Sequence, residues 1–280
     1  MRYPPMDSLK NILIFFLTCI SIWSCIETTK KSTHLALQKE TILQKSVINP
    51  EGKTIEERFN TPDNYNRVIL KENHFGSYLR KLPLKPIASK VMYFDGRAKN
   101  NMNVYISVVD MEIGTRDLQQ CADAVMRLRG EFLFEQQRLQ DIHFTFVSDG
   151  KPRYFLKYAK GDYSYKKFRR YMNYIFAYAN TASLRKELQE VTSIKDIQVG
   201  DVFIQKGNPY GHAVIVVDVA KNEQNEKLFM IAQSYMPAQE TQILVNRNDS
   251  KISPWYKATE GTIYTPEWTF KSTDLRRFKD

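Results

Sequence analysis

One thiol, one imidazole and one carboxamide stand in an order along this 280-residue chain that suits nucleophilic acyl chemistry. Cys121 opens a run with apolar residues at helical spacing, so its sulfur sits in the first turn or two of a helix. There the helix dipole and unpaired backbone N–H groups favour the thiolate. His212 follows Gly211 at the head of the β-branched run Ala213-Val214-Ile215-Val216-Val217, an unbroken apolar stretch of the kind buried on both faces of a sheet. An imidazole there can take the thiol proton, and a third polar group can hold its other nitrogen. Gln233 ends the next apolar run, Phe229 to Ala232, and an antiparallel pairing of the two strands brings its amide to the ring. Asp218 is a second candidate for that orienting role. The residues also admit a plainer reading, in which Cys121 is a small buried hydrophobe on the same helix face as Val125 and Leu128, and His212 is a hydrogen-bonded core histidine.

The elements that must position these groups read as an α+β pattern. Residues 75–81 form a short helix closed by Leu82-Pro83-Leu84-Lys85-Pro86, and Asn103 to Val109 alternates as a strand. Thr115 or Asp117 caps an amphipathic helix from Leu118 to about Leu139. Ile142 to Val147 is a strand, and Phe168 to Leu188 a helix or helix pair. Gly200-Asp201 turns into the strand Val202-Phe203-Ile204. The loop Gln205 to Tyr210, rich in turn formers, then leads to the His212 strand, and Leu228 to Gln233 follows as another. Tyr210, Gly211, Tyr235 and Trp255 are the candidate binding residues, with Met236 to Gln239 and Ser253 to Tyr256 as walls of a cleft beside His212. Residues 151–174 interleave lysines and arginines with eight aromatics. Core rings with solvated lysines are preferred there over a sugar- or nucleic-acid-stacking face.

The chain start bears on where this chemistry takes place. Arg2 and Lys10 precede an apolar stretch from Asn11 to Trp23, too short to span a bilayer comfortably, and Ile22-Trp23-Ser24-Cys25 resembles a lipobox. The expected organisation is a lipoprotein signal peptide over 1–24, lipidation at Cys25, a flexible lysine-rich tether over 25–62, and a single α+β domain over 63–280. Cys121 is then the domain's one cysteine, without a partner for an internal disulfide. The net charge of +10 falls by one, to +9, once Arg2, Lys10 and Asp7 are removed. In an exported protein that surplus favours anionic lipid, lipopolysaccharide or acidic glycan over nucleic acid. No Cys-x-x-Cys or His-x-x-x-His spacing suggests a metal site, and the chemistry needs no cofactor.

Two resemblances add to this reading. A helix-borne Cys, then Gly200-Asp201, then Gly211-His212 at the head of a strand, then a polar residue on the next strand is similar to papain-like cell-wall peptidases and amidases of the NlpC and CHAP types, over about residues 115 to 240. That resemblance implies a central Cys-bearing helix on an antiparallel sheet, with Cys121 as nucleophile, His212 as general base, Gln233 as orienting residue, and an insertion between Gly130 and Gln198. Cys121-Ala-Asp-Ala-Val-Met-Arg-Leu-Arg129, Gly211-His-Ala-Val-Ile-Val-Val-Asp218, Ala232-Gln-Ser-Tyr-Met-Pro-Ala-Gln239, Ser253-Pro-Trp-Tyr256 and Thr265-Pro-Glu-Trp-Thr-Phe270 resemble a family of exported bacterial proteins known only as a domain of unknown function. The expected function is a lipid-anchored cell-envelope thiol peptidase or amidase acting on peptide or glycopeptide, facing the periplasm or the cell surface. The alternative is a non-catalytic envelope protein that binds glycan, peptide or a protein partner.

Overall fold

The computed structural model describes residues 46–207 and 210–279. Cys25, the segment 1–24 and the tether up to residue 45 lie outside the described residues. The tether does not extend to residue 62 as expected. Thr54 Oγ1 accepts from the Glu57 N–H and caps helix α1 (Ile55–Arg58), which buries Ile55 and leads into the equally buried Phe59. A polar, lysine-rich composition suggested a linker, yet these two apolar side chains, with the buried Arg58 bonded to Gly52 and Ser107, join the segment to the core.

Next in the chain are β1 (Asn66–Arg67), helix α2 (Phe75–Arg80), β2 (Tyr105–Val108) and the long helix α3 (Cys121–Glu135). The stretch between Gly130 and Gln198 holds a hairpin, β3 (His143–Thr145) with β4 (Pro152–Tyr154), then α4 (Phe155–Ala159), α5 (Tyr165–Tyr178), α6 (Thr181–Glu187) and β5 (Gln189–Glu190). The remaining strands are β6 (Val202–Gln205), β7 (His212–Lys221), β8 (Lys227–Gln233), β9 (Gln242–Leu244), β10 (Tyr256–Lys257), β11 (Thr262–Tyr264), β12 (Thr269–Lys271) and β13 (Leu275–Arg277). Helices and antiparallel sheets together make an α+β fold.

Among the described residues one antiparallel sheet runs in the order β2–β9–β8–β7–β6–β13–β5. Its spine is the hairpin of β7 and β8, both buried along nearly their whole length. At one end β6 and β9 flank this hairpin, with Gln205 opposite His212 and Gln242 opposite Gln233. At the other end β1 and β10 replace them, pairing with Ala220–Lys221 and with Leu228–Phe229. The site end and the far end of the spine therefore have different neighbours.

Helix α3 packs on β7, with α2, α5 and α6 around it. Burial from Cys121 through Leu133 is continuous, so the amphipathic pattern does not mark a solvated face. Arg127 and Glu131 are buried because they satisfy one another, with Gln119 and Tyr165 as further partners of Arg127. Gly130 brings α5 close: a Cβ there would stand 3.1 Å from Met172 Sδ. The rings of residues 151–174 divide: Phe155, Phe168 and Tyr171 are fully buried in the core, Tyr158 and Tyr174 are half-buried, and Tyr154, Tyr163 and Tyr165 stay exposed. Lys151, Lys157, Lys160, Lys166 and Arg170 of that segment stay exposed.

Candidate active site

Local chemistry starts α3 later than the expected cap at Thr115 or Asp117. Asp117 Oδ1 is occupied by the Gln120 side-chain amide (2.9 Å) and by the Ala238 N–H (2.7 Å), so it bridges loops instead of capping the helix. Gln120 becomes the N-cap, and its N–H donates to Asp123 Oδ2 at 3.1 Å. Cys121 is thereby the first helical residue. The helix stops short of Leu139 because Gln137 takes a left-handed φ of 54°, and the Gln137 and Arg138 N–H groups close back on the carbonyls of Phe134 and Leu133 in a Schellman pattern.

The cysteine faces the histidine strand. Its Sγ–H donates to the Gly211 carbonyl at 3.9 Å, and the N–H groups of Ala213, Ala122 and Cys121 itself point to the sulfur. The thiol thus rests against the backbone on both sides of His212. A cavity of about 160 Å³ adjoins it, with Asp123, Lys206, Tyr210, Gly211 and Met236 in its walls. Tyr210 is exposed, at 65 %, as is Lys206. Gly211 is required by the tight turn into β7, since a Cβ there would meet the Gln205 carbonyl oxygen at 2.2 Å.

Antiparallel pairing of β7 and β8 sets Ile215 opposite Ala232, which places Gln233 and His212 on one face as diagonal neighbours. Gln233 Oε1 is 3.0 Å from His212 Nε2. Nδ1 is buried and has no hydrogen-bond partner among the described residues. Asp218 takes no part: it lies toward the far end of β7, held by Arg67 and Arg80 at 2.6 Å each. The imidazole is fully buried, boxed by Tyr235 (ring centroids 4.8 Å apart), Trp268 (5.1 Å) and Phe270 (5.8 Å). Trp255 is a correction. It is fully buried, its Nε1–H donates to the Asn60 carbonyl at 2.9 Å, and the adjoining Tyr256 pairs with Phe229 at the far end of the spine. A late-loop tryptophan here closes the core and lines no cleft with His212.

Burial governs the titration of the cluster. Desolvation, and after it the Asp123 charge, pushes the Cys121 thiol up to about 11, against the pull of the nearby N–H groups. Desolvation also lowers His212 to about 4; the Gln233 bond resists this and the Lys99 charge adds to it. Asp123, fully enclosed, is driven well above the ordinary carboxylate range, and its Oδ1 has no partner among the described residues. At neutral pH the thiol keeps its proton and the imidazole is neutral, protonation states compatible with general-base activation at the moment of attack; the thiol hydrogen itself is held by the Gly211 carbonyl and not by Nδ1.

Trp268, Phe270, Glu267, Lys99 and Asp123 complete the surroundings, and sequence reasoning assigned none of them a role. The segment Thr265 to Phe270 stood out as a motif, but nothing in its residue types tied it to His212. No group of His, Cys, Asp and Glu side chains suited to a metal ion occurs among the described residues.

An α+β domain whose helix-borne cysteine and strand-borne histidine share one end of an antiparallel sheet is the class that fold and site define. The chain belongs to the family described as a domain of unknown function (4846), whose model matches residues 55–277. Those limits run from the first residue of α1 to the last of β13. No curated protein and no solved structure matches the chain.

Proposed function

We propose that this protein is a thiol peptidase or amidase of papain-like arrangement, anchored by lipid at Cys25 and acting on cell-envelope peptide or glycopeptide outside the cytoplasm. The observation that carries the catalytic reading is the placement of the Cys121 sulfur at a helix start, against the backbone on either side of His212, whose Nε2 is engaged by Gln233 while Nδ1 is left without a partner. Attack of Sγ on a substrate carbonyl carbon forms the C–S bond as the thiol proton passes to Nδ1. The electron pair displaced onto the carbonyl oxygen is met by first-turn N–H groups of α3. Collapse breaks the C–N bond, and the leaving amine takes the proton from the imidazolium. Water, deprotonated by the same nitrogen, then adds to the thioester carbonyl; the C–S bond breaks, the acid product leaves, and the imidazolium returns its proton to Sγ. The apolar, basic chain start and the +10 net charge support the envelope setting.

The test is alkylation of the folded protein at neutral pH, with the modified residue located by mass spectrometry. Cys121 is expected to react, and His212→Ala to slow the reaction about tenfold or more. A cysteine that reacts only after unfolding would sink the enzymatic reading and favour a binding protein that keeps the same fold.

A further inference from the structure

The geometry points to Glu267 and Lys99 as positioning residues that fix which nitrogen of His212 carries its proton. This deepens the reading of Cys121 and His212 as nucleophile and base, and rests on that reading for its purpose. A glutamine amide has two ends of nearly equal size, and its orientation decides the chemistry of the ring it touches. If Gln233 offers its oxygen to Nε2, that nitrogen must hold the hydrogen and Nδ1 keeps a free lone pair. Turned over, its NH2 would demand an acceptor at Nε2. The hydrogen would then sit on Nδ1, and the ring could not take the cysteine's proton.

The far end of the amide settles the choice. Gln233 Nε2 lies 2.6 Å from Glu267 Oε2, and the same oxygen lies 2.8 Å from Lys99 Nζ. An ammonium has donors only, so Oε2 accepts from Lys99, and an amide oxygen facing it would meet another acceptor. Gln233 must present its NH2 to Glu267 and its oxygen to His212. Each contact dictates the next, from Lys99 through Glu267 and Gln233 to a hydrogen on Nε2.

The anchor of this relay is itself fixed. Lys99 is 4 % exposed and also donates to Gln239 Oε1 at 3.0 Å, an oxygen that receives Gln242 Nε2 at the same distance. Its backbone N–H is bound to the Val91 carbonyl at 2.8 Å. A buried ion pair is weak support for stability but can hold a group in a single arrangement.

Long-range proton–nitrogen correlation NMR on uniformly labelled protein at pH 7 reads the His212 tautomer directly, whether or not the protein turns over any substrate. The parent is expected to hold Nε2–H in about tenfold excess or more. Glu267→Gln replaces a group that only accepts with one that offers either end, so both tautomers should become visible and Cys121 alkylation should slow in step. Lys99→Met, which removes the donor that commits Glu267, should erode the excess in the same direction, and Glu267→Asp should restore part of it. An Nδ1–H ring in the parent, or an undiminished Nε2–H excess in a folded Glu267→Gln variant, would overturn the assignment. Should Glu267→Gln fail to fold, Lys99→Met and the parent spectrum decide. Nε2–H in the parent with an unreactive Cys121 would leave the relay standing and remove the catalytic reading.

Discussion

Cys121 and His212 titrate in directions opposite to those of a resting thiolate–imidazolium pair, and this sets the pH behaviour of the site. With the imidazole lowered to about 4 and the thiol raised to about 11, the sulfur keeps its proton and the ring its free electron pair across the whole range between. Alkylation of Cys121 should therefore rise as pH climbs through about 4, where the base loses its blocking proton. It should stay level through neutrality and rise again toward about 11 as the thiol ionises on its own. His212→Ala should abolish the plateau and keep only the alkaline rise. A single rise between pH 5 and 8 in the parent would mean an ion pair, and with it a more solvated site than this one. The grouping of Cys121, His212 and Gln233 at one end of the sheet was legible from their order along the chain, since a Gly-His strand head and a polar residue ending the next strand fall together once the two strands pair antiparallel. Glu267 and Lys99 were not legible, since each lies in a loop where no periodicity marks its neighbours. Trp255 was misplaced for the same reason: a tryptophan in a late loop says nothing about which end of a strand it covers.

At the scale of elements, strand pairing does the positioning. The apolar runs before Gln233 and after His212 predicted two buried strands, and the antiparallel register that joins them is what brings amide to ring. The start of α3 was harder to foresee, because Asp117 has the right type for a cap but spends its carboxylate on Gln120 and Ala238. Where β6 hands over to β7 the chain has no room to spare. Gly211→Ala would drive a Cβ into the Gln205 carbonyl, the residue paired with His212, so the last rung of the ladder must open and the imidazole must move with it. The expected result is a loss of about 1–3 kcal/mol in denaturant unfolding together with slower Cys121 alkylation. Unchanged stability with unchanged reactivity would show that the turn has slack and that Gly211 plays no part in holding His212.

For the molecule as a whole, the proposed lipid anchor at Cys25 has to be told apart from adhesion through charge. The described chain from Ser46 onward is woven into the fold: Ile48 bridges to Phe59, Asn60 receives the Trp255 indole, and Arg67 reaches the buried Asp218 on the central strand. Composition alone extended the tether to residue 62, since charge and lack of aromatics describe a linker and an edge segment equally well. Because the fold holds this segment by its own contacts, loss of a lipid at Cys25 should detach the protein without unfolding it. A net charge of +10 complicates the readout, because a basic surface adheres to anionic headgroups through electrostatics that salt screens within about 3 Å at 1 M. Membranes from cells producing Cys25→Ala should therefore be washed at high salt before fractions are compared. The variant should then appear in the soluble fraction with a thermal midpoint within about 2 °C of the parent domain, while the parent stays with the membrane. A variant that still pellets after the wash would point to an uncleaved apolar span over residues 11–23 in place of a lipid, since neither charge nor acylation would remain to hold it there.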